Sequence, residues 1–246
     1  MEHKYNLKRQ VKDERDYSFK EILNVHPTVK LPKVADLTPL VPTYIFDQGD
    51  EGSCTANIGM YVRAMLEAAK TSIVFSRQFQ YAMELIMEGN FPNDDGAQMR
   101  TIGLVMVKYG SCLETDDPYI AGDIIKPSTK ATADALLNKI KSCYSVPNLT
   151  GMKQVIALKS QPVMFGIDVY ESFESASAAK TGIIPMPKKG EKLLGGHAIG
   201  GIKYDDTKKL IKFPNSWGSS WGDKGFGYLP YAYFTKYAYD YWVLQN

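Results

Sequence analysis

Apolar side chains recur at helical spacing through the first half of the chain. From Cys54 onward they follow one another at intervals of three and four residues and form a continuous stripe, which predicts an amphipathic helix. After Pro162 the pattern changes to short apolar runs rich in β-branched and aromatic residues, which are typical of buried strands. Further helices are predicted at about 76–88, 98–109, 131–142 and 151–159, and strands at 163–170, 197–204 and 210–215.

The order of these elements predicts the organisation of the chain. Helices followed by strands are typical of an α+β protein, and we expect two lobes within one domain at residues 31–246. The helical lobe is predicted over about residues 41–142 and the strand-rich lobe over about 143–240. Residues 1–30 are highly charged and poor in apolar periodicity, so we interpret them as an N-terminal extension.

The last two predicted strands form a hairpin that carries candidate chemistry. A turn at residues 205–207 would pair Tyr204 with Lys208, and this register places His197 directly opposite Asn215. An asparagine in that position can accept the ring N–H of the histidine and leave its other nitrogen facing a nucleophile. A core histidine bonded to a turn asparagine would show the same pattern.

Charge and cysteine content restrict the possible partners. Lys and Arg number 29 and Asp and Glu 27, so the net charge of +2 gives no sign of a nucleic-acid or membrane surface. The three cysteines and three histidines lack ligand spacing, so we expect no metal site. We also expect no cofactor and favour a monomer. The absence of an apolar leader favours a cytoplasmic or other reducing compartment. Cys112 and Cys143 could form an internal disulfide with each other, but in a reducing compartment we expect both to be free thiols.

A glycine-rich loop delivers Cys54 to the start of the strongest predicted helix. The loop reads Gln-Gly-Asp-Glu-Gly-Ser-Cys over residues 48–54. Unpaired N–H groups and the dipole of the helix favour an anion at this end, so we expect a lowered thiol pKa and a reactive cysteine. The alternative is an unreactive cysteine that packs as a small hydrophobic residue.

Three blocks of sequence together resemble the papain family of cysteine peptidases. They are Gln-Gly-x-x-Gly-Ser-Cys at 48–54, Gly-His-Ala-Ile at 196–199, and Asn-Ser-Trp-Gly-x-x-Trp-Gly-x-x-Gly-Phe at 215–226. The resemblance covers about residues 31–230, and the histidine follows the cysteine by 143 residues, within the family's range of about 130–150. It implies a helical lobe and a β-barrel-like lobe with the active-site cleft between them.

The resemblance also implies roles for individual residues. Cys54 would be the nucleophile, His197 the acid and base, Asn215 the residue that orients the imidazole, and Gln48 an oxyanion donor. The sequence departs from the family pattern at Glu51, which stands where a disulfide-forming cysteine is usual, and at Thr55, where an aromatic residue is usual. Residues expected to contact substrate are Gly96, Ala97, Gly166, Gly196 and Trp217.

The function implied is cysteine endopeptidase activity on polypeptide substrates. Two alternatives remain at this point: a catalytically silent papain-like binding or inhibitory module, and acyl transfer to an acceptor other than water. Family members are commonly made as zymogens, and residues 1–30 are either a disordered extension or a segment that packs over part of the cleft and limits access. Tyr17 and Phe19 are candidate aromatic anchors for such a segment.

Overall fold

Three helices build the part of the molecule that carries Cys54. The computed structural model describes residues 3–19, 29–67 and 72–246. The residues of α1 from Cys54 to Met65 are all buried, because the helix packs against helices on one side and a sheet on the other. The predicted helices near residues 54, 76–88 and 98–109 are confirmed as α1 (Cys54–Leu66), α2 (Arg77–Glu88) and α3 (Met99–Lys108).

Two four-stranded antiparallel sheets make up the rest of the core within the described residues. In the first sheet the strand order is β1-β5-β6-β7, and in the second it is β2-β8-β3-β4. The strands are β1 (Val34–Asp36), β2 (Ser142–Ser145), β3 (Val163–Tyr170), β4 (Leu193–Gly201), β5 (Lys203–Asp205), β6 (Leu210–Pro214), β7 (Phe226–Pro230) and β8 (Ala238–Gln245). The remaining helices are α4 (Thr129–Ala135), α5 (Leu149–Lys159), α6 (Ala176–Thr181) and α7 (Tyr231–Tyr237).

The predicted hairpin register is wrong. Tyr204 pairs with Ile211 rather than with Lys208, because the turn contains four residues, 206–209. The longer turn is stabilised by the carboxylate of Asp205, which accepts the N–H groups of the second and third residues after it, and by a left-handed Lys209. His197 consequently has Ile167 of β3 as its strand partner and not Asn215.

Two further element predictions need correction. The strand predicted at 197–204 is divided between β4 and β5, since the chain leaves one sheet and enters the other at Ile202, whose N–H bonds to the carbonyl of Lys212. The helix predicted at 131–142 ends at Ala135, and Ser142 already belongs to β2 at the edge of a sheet. Sequence periodicity does not show where a strand changes partner.

The three thiols are free and buried, as expected for Cys112 and Cys143. Cys112 lies in a small cluster with Phe79 and Val105, and Cys143 lies against Gly103 of α3. In the described ranges no helix combines the length and the apolar character needed to cross a membrane.

Candidate active site

Gln48 is fixed at the point where the loop before α1 meets the strand-rich part of the molecule. We call residues 47–53 the Gln48 loop. The Gln48 side chain is fully buried; its Nε2 donates to the carbonyl of Glu51 at 2.8 Å, and its Oε1 accepts from the Ser216 hydroxyl at 2.5 Å. Its backbone N–H donates to the carbonyl of Ser216 at 2.9 Å. The second Nε2 hydrogen is left without a partner among these contacts and can serve an oxyanion.

The Cys54 thiol lies at the first turn of α1 and is completely buried. The backbone N–H of Ala198 in β4 acts to lower its pKa, as do those of Thr55 and Cys54, and only the latter two represent the effect expected at a helix start. Burial is the larger influence and raises the pKa of Cys54 to about 12. The expected lowered pKa is therefore wrong for this covered state, in which the thiol is protonated.

His197 lies in β4 and is also completely buried, and the N–H of the next residue, Ala198, acts on the Cys54 thiol. Its Nε2 lies 2.9 Å from Oδ1 of Asn215, which also accepts the N–H of Ser216 at 3.0 Å. Because Oδ1 only accepts, Nε2 carries the proton, and Nδ1 has no hydrogen-bond partner among the described residues. Burial lowers the pKa of His197 to about 4, so the imidazole is neutral.

Trp217 covers the histidine and its asparagine contact. The indole stacks on His197 with ring centroids 5.2 Å apart and an interplanar angle of 23°. Its other neighbours are aromatic, with Phe173 and Trp221 both arranged nearly perpendicular to it. This apolar wall limits access of water to the hydrogen bond between His197 and Asn215.

An N-terminal segment lies across these groups, and we call residues 3–9 the covering segment. It pairs with both walls of the cleft: the N–H of Leu7 donates to the carbonyl of Gly196, and the N–H of Lys8 donates to the carbonyl of Ala97. Gly196 in turn donates to the carbonyl of Tyr5 at 3.1 Å. The segment thus occupies the position of a strand between the two walls.

The covering segment contacts each of the five residues expected to bind substrate. The backbone of Asn6 passes so close to Gly96 that a Cβ there would lie 2.0 Å from its carbonyl oxygen. Leu7 packs against Gly166, where a Cβ would lie 2.6 Å from its Cδ2, and it is almost fully buried. The other contacts are the backbone bonds of Gly196 and Ala97 and the stacking of His3 on Trp217 with ring centroids 4.1 Å apart.

Charged groups hold the covering segment to both walls. Lys4 bonds to Asp94 at 2.7 Å, and the same carboxylate accepts the N–H of Gly52 in the Gln48 loop. Arg9 bonds to Asp168 at 2.6 Å, and its guanidinium lies 3.8 Å from the ring centroid of Tyr239. The sequence motifs gave no signal for these partners, because they lie about 90 or more residues away along the chain.

A buried carboxyl group lies behind Cys54. Glu84 of α2 is fully buried and accepts hydrogen bonds from Oγ1 of Thr55 at 2.5 Å and from Nε2 of Gln80 at 2.7 Å. Burial raises the pKa of Glu84 to about 8, so the group is neutral near pH 7. A neutral Glu84 does not repel a thiolate on Cys54, and Thr55 is one of the two side chains that donate to the Glu84 carboxyl group.

No metal centre accompanies these groups. Among the residues described, no three or more His, Cys, Asp or Glu side chains are placed to hold a metal ion together. The chemistry available is that of a thiol, an imidazole with one free nitrogen, and amide donors.

Comparison with known proteins assigns the chain to a family. The sequence model of the papain family cysteine proteases matches residues 32–245. An uncharacterized peptidase C1-like protein of Acanthamoeba polyphaga mimivirus is 33% identical over 248 residues, which cover 93% of this chain and 79% of that protein. A cysteine protease of Ambrosia artemisiifolia, Amb a 11, is 28% identical over 76% of this chain, which spans 47% of the length of that relative.

Solved structures agree with this assignment. Xylellain, a cysteine protease from Xylella fastidiosa, superposes with a TM-score of 0.87 at 31% identity over 98% of this chain and 96% of that one. The proform of the ragweed protease Amb a 11 superposes with a TM-score of 0.69 at 23% identity over 92% of this chain and 68% of that one, which supports the fold alone. The chain belongs to the papain family of cysteine peptidases and has the papain-like fold.

Proposed function

We propose that this peptidase is an endopeptidase that cleaves unstructured polypeptides through an acyl-enzyme on Cys54. His197 takes the thiol proton, gives it to the leaving amine, and later activates water. Gln48 and the N–H of Cys54 would stabilise the oxyanion. The observation that carries the proposal is the contact of Asn215 with His197, which assigns the proton to Nε2 and leaves Nδ1 without a partner among the described residues, while the Cys54 thiol lies near the N–H of Ala198, the residue that follows His197.

A silent binding module and an acyltransferase are less consistent with these residues. A silent module would not need a thiol, a tautomer-fixing partner and an anchored amide donor together, yet Cys54, Asn215 and Gln48 supply all three. Asn215 is also neutral, whereas transglutaminase-like enzymes of this fold use an aspartate in the orienting position.

The experiment is active-site labelling with an epoxide or vinyl-sulfone probe, combined with hydrolysis of an unfolded protein substrate. We expect Cys54→Ala and His197→Ala to abolish both signals, because each removes a reacting group. Cys112→Ser and Cys143→Ser are the matched controls and should keep both. Failure to label in both the wild-type enzyme and the Arg9→Ala variant, which loses a contact of the covering segment, would favour the silent module. Release of dipeptides alone would contradict internal cleavage.

We further propose that the covering segment keeps this site latent. Its backbone occupies the hydrogen-bonding groups of Gly196 and Ala97, so an extended substrate would have to displace it. Burial beneath the segment also keeps Cys54 and His197 in their neutral forms, whereas attack needs the thiolate and the imidazolium. Displacement of the segment would readmit water, and the imidazole could then take up a proton.

Single substitutions test latency better than deletion of residues 1–30. Deletion would also remove Phe19, which is buried against Tyr144 and contributes to packing. Arg9→Ala removes an ion pair and a cation–π contact, so we expect kcat/KM on a short peptide to rise about fivefold or more. Arg15→Ala is the control, because its exposed guanidinium bonds to the neighbouring Asp13. Unchanged kinetics for Arg9→Ala would show that the covering segment does not limit access of substrate to the site.

A further inference from the structure

Tyr119 touches the Gln48 loop at three points although it lies outside the sequence motifs. It belongs to the connection between α3 and α4. Its hydroxyl lies 2.7 Å from Oγ of Ser53, 3.0 Å from the carbonyl of Gln48 and 3.0 Å from Oε1 of Glu51. One side chain therefore contacts the first residue of the proposed oxyanion hole and the residue just before the nucleophile.

The available hydrogens indicate which group donates in each of these three contacts. The Asn57 amide donates to Oγ of Ser53 at 3.0 Å, so the Ser53 hydroxyl can donate its own hydrogen to the Tyr119 oxygen. Tyr119 then donates toward the carbonyl of Gln48 and the carboxylate of Glu51. The second oxygen of Glu51 accepts the N–H of Gly122 at 2.9 Å, which closes the network on the segment that carries Tyr119.

The ring of Tyr119 is held in place by a cation–π contact. The guanidinium of Arg77 lies 3.9 Å from the ring centroid and is largely buried. The same Arg77 donates to the carbonyl of Asp47 at 3.0 Å and to Oδ1 of Asn57 at 3.1 Å. The ring and the start of the Gln48 loop are thus held by one side chain of α2.

The Gln48 loop combines these outside contacts with internal hydrogen bonds, from Nε2 of Gln48 to the carbonyl of Glu51 and from the N–H of Gly49 to Oδ1 of Asp47. Gly49 has a left-handed φ of 62°, and the turn bond from the N–H of Glu51 to the carbonyl of Gln48 is long at 3.4 Å. An oxyanion donor must be held within about 0.5 Å of its productive position. A hydroxyl bonded to the Gln48 carbonyl restricts the residue that carries the donor amide.

We propose that Tyr119 is a positioning residue for the oxyanion hole, acting through the backbone of Gln48 and the carboxylate of Glu51. The proposal rests on the catalytic function proposed above. In this chain Glu51 stands where relatives are expected to have a disulfide cysteine, and its buried bonds to Tyr119 and Gly122 supply a non-covalent attachment of the loop at that point.

The test compares a reaction that needs the oxyanion hole with one that does not. Peptide hydrolysis passes through a tetrahedral oxyanion, whereas alkylation by iodoacetamide forms a carbon–sulfur bond as iodide leaves and develops no oxyanion. For Tyr119→Phe in the full chain we expect kcat to fall about tenfold, less than the 10²–10³ typical of losing an oxyanion donor outright. KM and the alkylation rate of Cys54 should stay within about twofold of wild type.

Two variants complete the design. Tyr231→Phe is the matched control, because Tyr231 is also half-buried and donates to a carboxylate, Oδ1 of Asp206, at 2.8 Å. Glu51→Gln keeps an acceptor oxygen for Tyr119 and should retain more activity than Tyr119→Phe. Unchanged kcat, or an equal fall in hydrolysis and alkylation, would overturn the inference. If neither the wild-type enzyme nor the Arg9→Ala variant labels or hydrolyses, the proposed function itself would be refuted.

Discussion

The two sides of the cleft are held in place by different kinds of interaction. On the cysteine side, the Gln48 loop depends on side-chain hydrogen bonds from outside it: Ser216 bonds to Gln48, and the carboxylate of Asp94 accepts the N–H of Gly52. These contacts join groups far apart in sequence, 168 residues in the case of Ser216 and Gln48.

On the histidine side, position is set by sheet register and aromatic packing. His197 is paired with Ile167 in a continuous antiparallel ladder of β3 and β4. Trp217 is stacked on the imidazole and is itself packed among Phe173 and Trp221. A side held by single polar bonds is sensitive to the loss of one atom, whereas register and packing distribute the constraint over many contacts.

The largest expected difference between the two sides is the loss of kcat when an amide side chain is removed, Gln48 on the cysteine side or Asn215 on the histidine side. Gln48→Ala removes an oxyanion donor, and we expect kcat to fall by about 10²–10³. Asn215→Ala leaves Nε2 of His197 buried without a partner, which costs about 1–3 kcal/mol, or about fivefold to 150-fold, while register and Trp217 keep the ring in place. Initial rates at saturating substrate measure both. Asn138→Ala, at a helix end remote from the site, is the control, and a greater loss for Asn215→Ala than for Gln48→Ala would contradict the comparison.

Lowering the pH should favour displacement of the covering segment from His197, and we expect a smaller effect than that of Gln48→Ala on kcat. Burial holds the pKa of His197 at about 4 and lowers that of His3, whereas an exposed imidazole titrates near 6.5. The open form therefore binds protons between pH 6.5 and 4 that the covered form does not, so the covered form loses stability as pH falls through that window. From pH 7 to pH 5 we expect His197 alone to increase opening about twentyfold, and His3 to add to this effect.

Hydrogen exchange measures this opening at two reporter amides. The N–H groups of Leu7 and Lys8 are bonded to the cleft walls, and their protection, corrected for intrinsic rates, should fall as the pH is lowered. His3→Phe can keep the stack on Trp217 and should retain the part of the effect that His197 causes. Protection that does not change between pH 7 and pH 5 would refute the link between covering and imidazole neutrality.

The smallest effect is expected on the cysteine side, in stability rather than activity. Glu84 has a pKa raised from 4.5 to about 8, so the folded state loses stability as pH rises through that range, because the unfolded chain releases the proton more easily. Glu84→Gln resembles the protonated acid and does not titrate. We expect its Tm to exceed that of wild type by a few degrees at pH 9 and to lose this advantage at pH 5. The same Tm difference at both values would show that Glu84 does not titrate with folding.

Local patterns were enough to predict several elements and the main candidate residues. The stripe after Cys54 predicted α1, and the apolar run at 163–170 coincides with β3. The contact between His197 and Asn215 was expected, but the register from which it was predicted is wrong. The chain changes sheets at Ile202, and the contact joins β4 of one sheet to the residue that follows β6 of the other. The exchange between sheets depends on pairing outside the strand and was not visible in the pattern, whereas the turn length is set by local bonds of Asp205 that the three-residue prediction missed.

The sequence alone determined the residue types and the order of the reacting groups, because helix starts, glycine turns and strand patterns are encoded within a few neighbouring positions. Only the tertiary structure decided how those groups are covered, charged and aligned. The contacts of the covering segment, and the contact of Tyr119 with Gln48, join parts of the chain that are about 50 or more residues apart. The raised pKa of Cys54 likewise results from burial by parts of the chain distant in sequence. Burial and hydrogen-bond geometry exist only after such segments have packed, so no short stretch of sequence contains them.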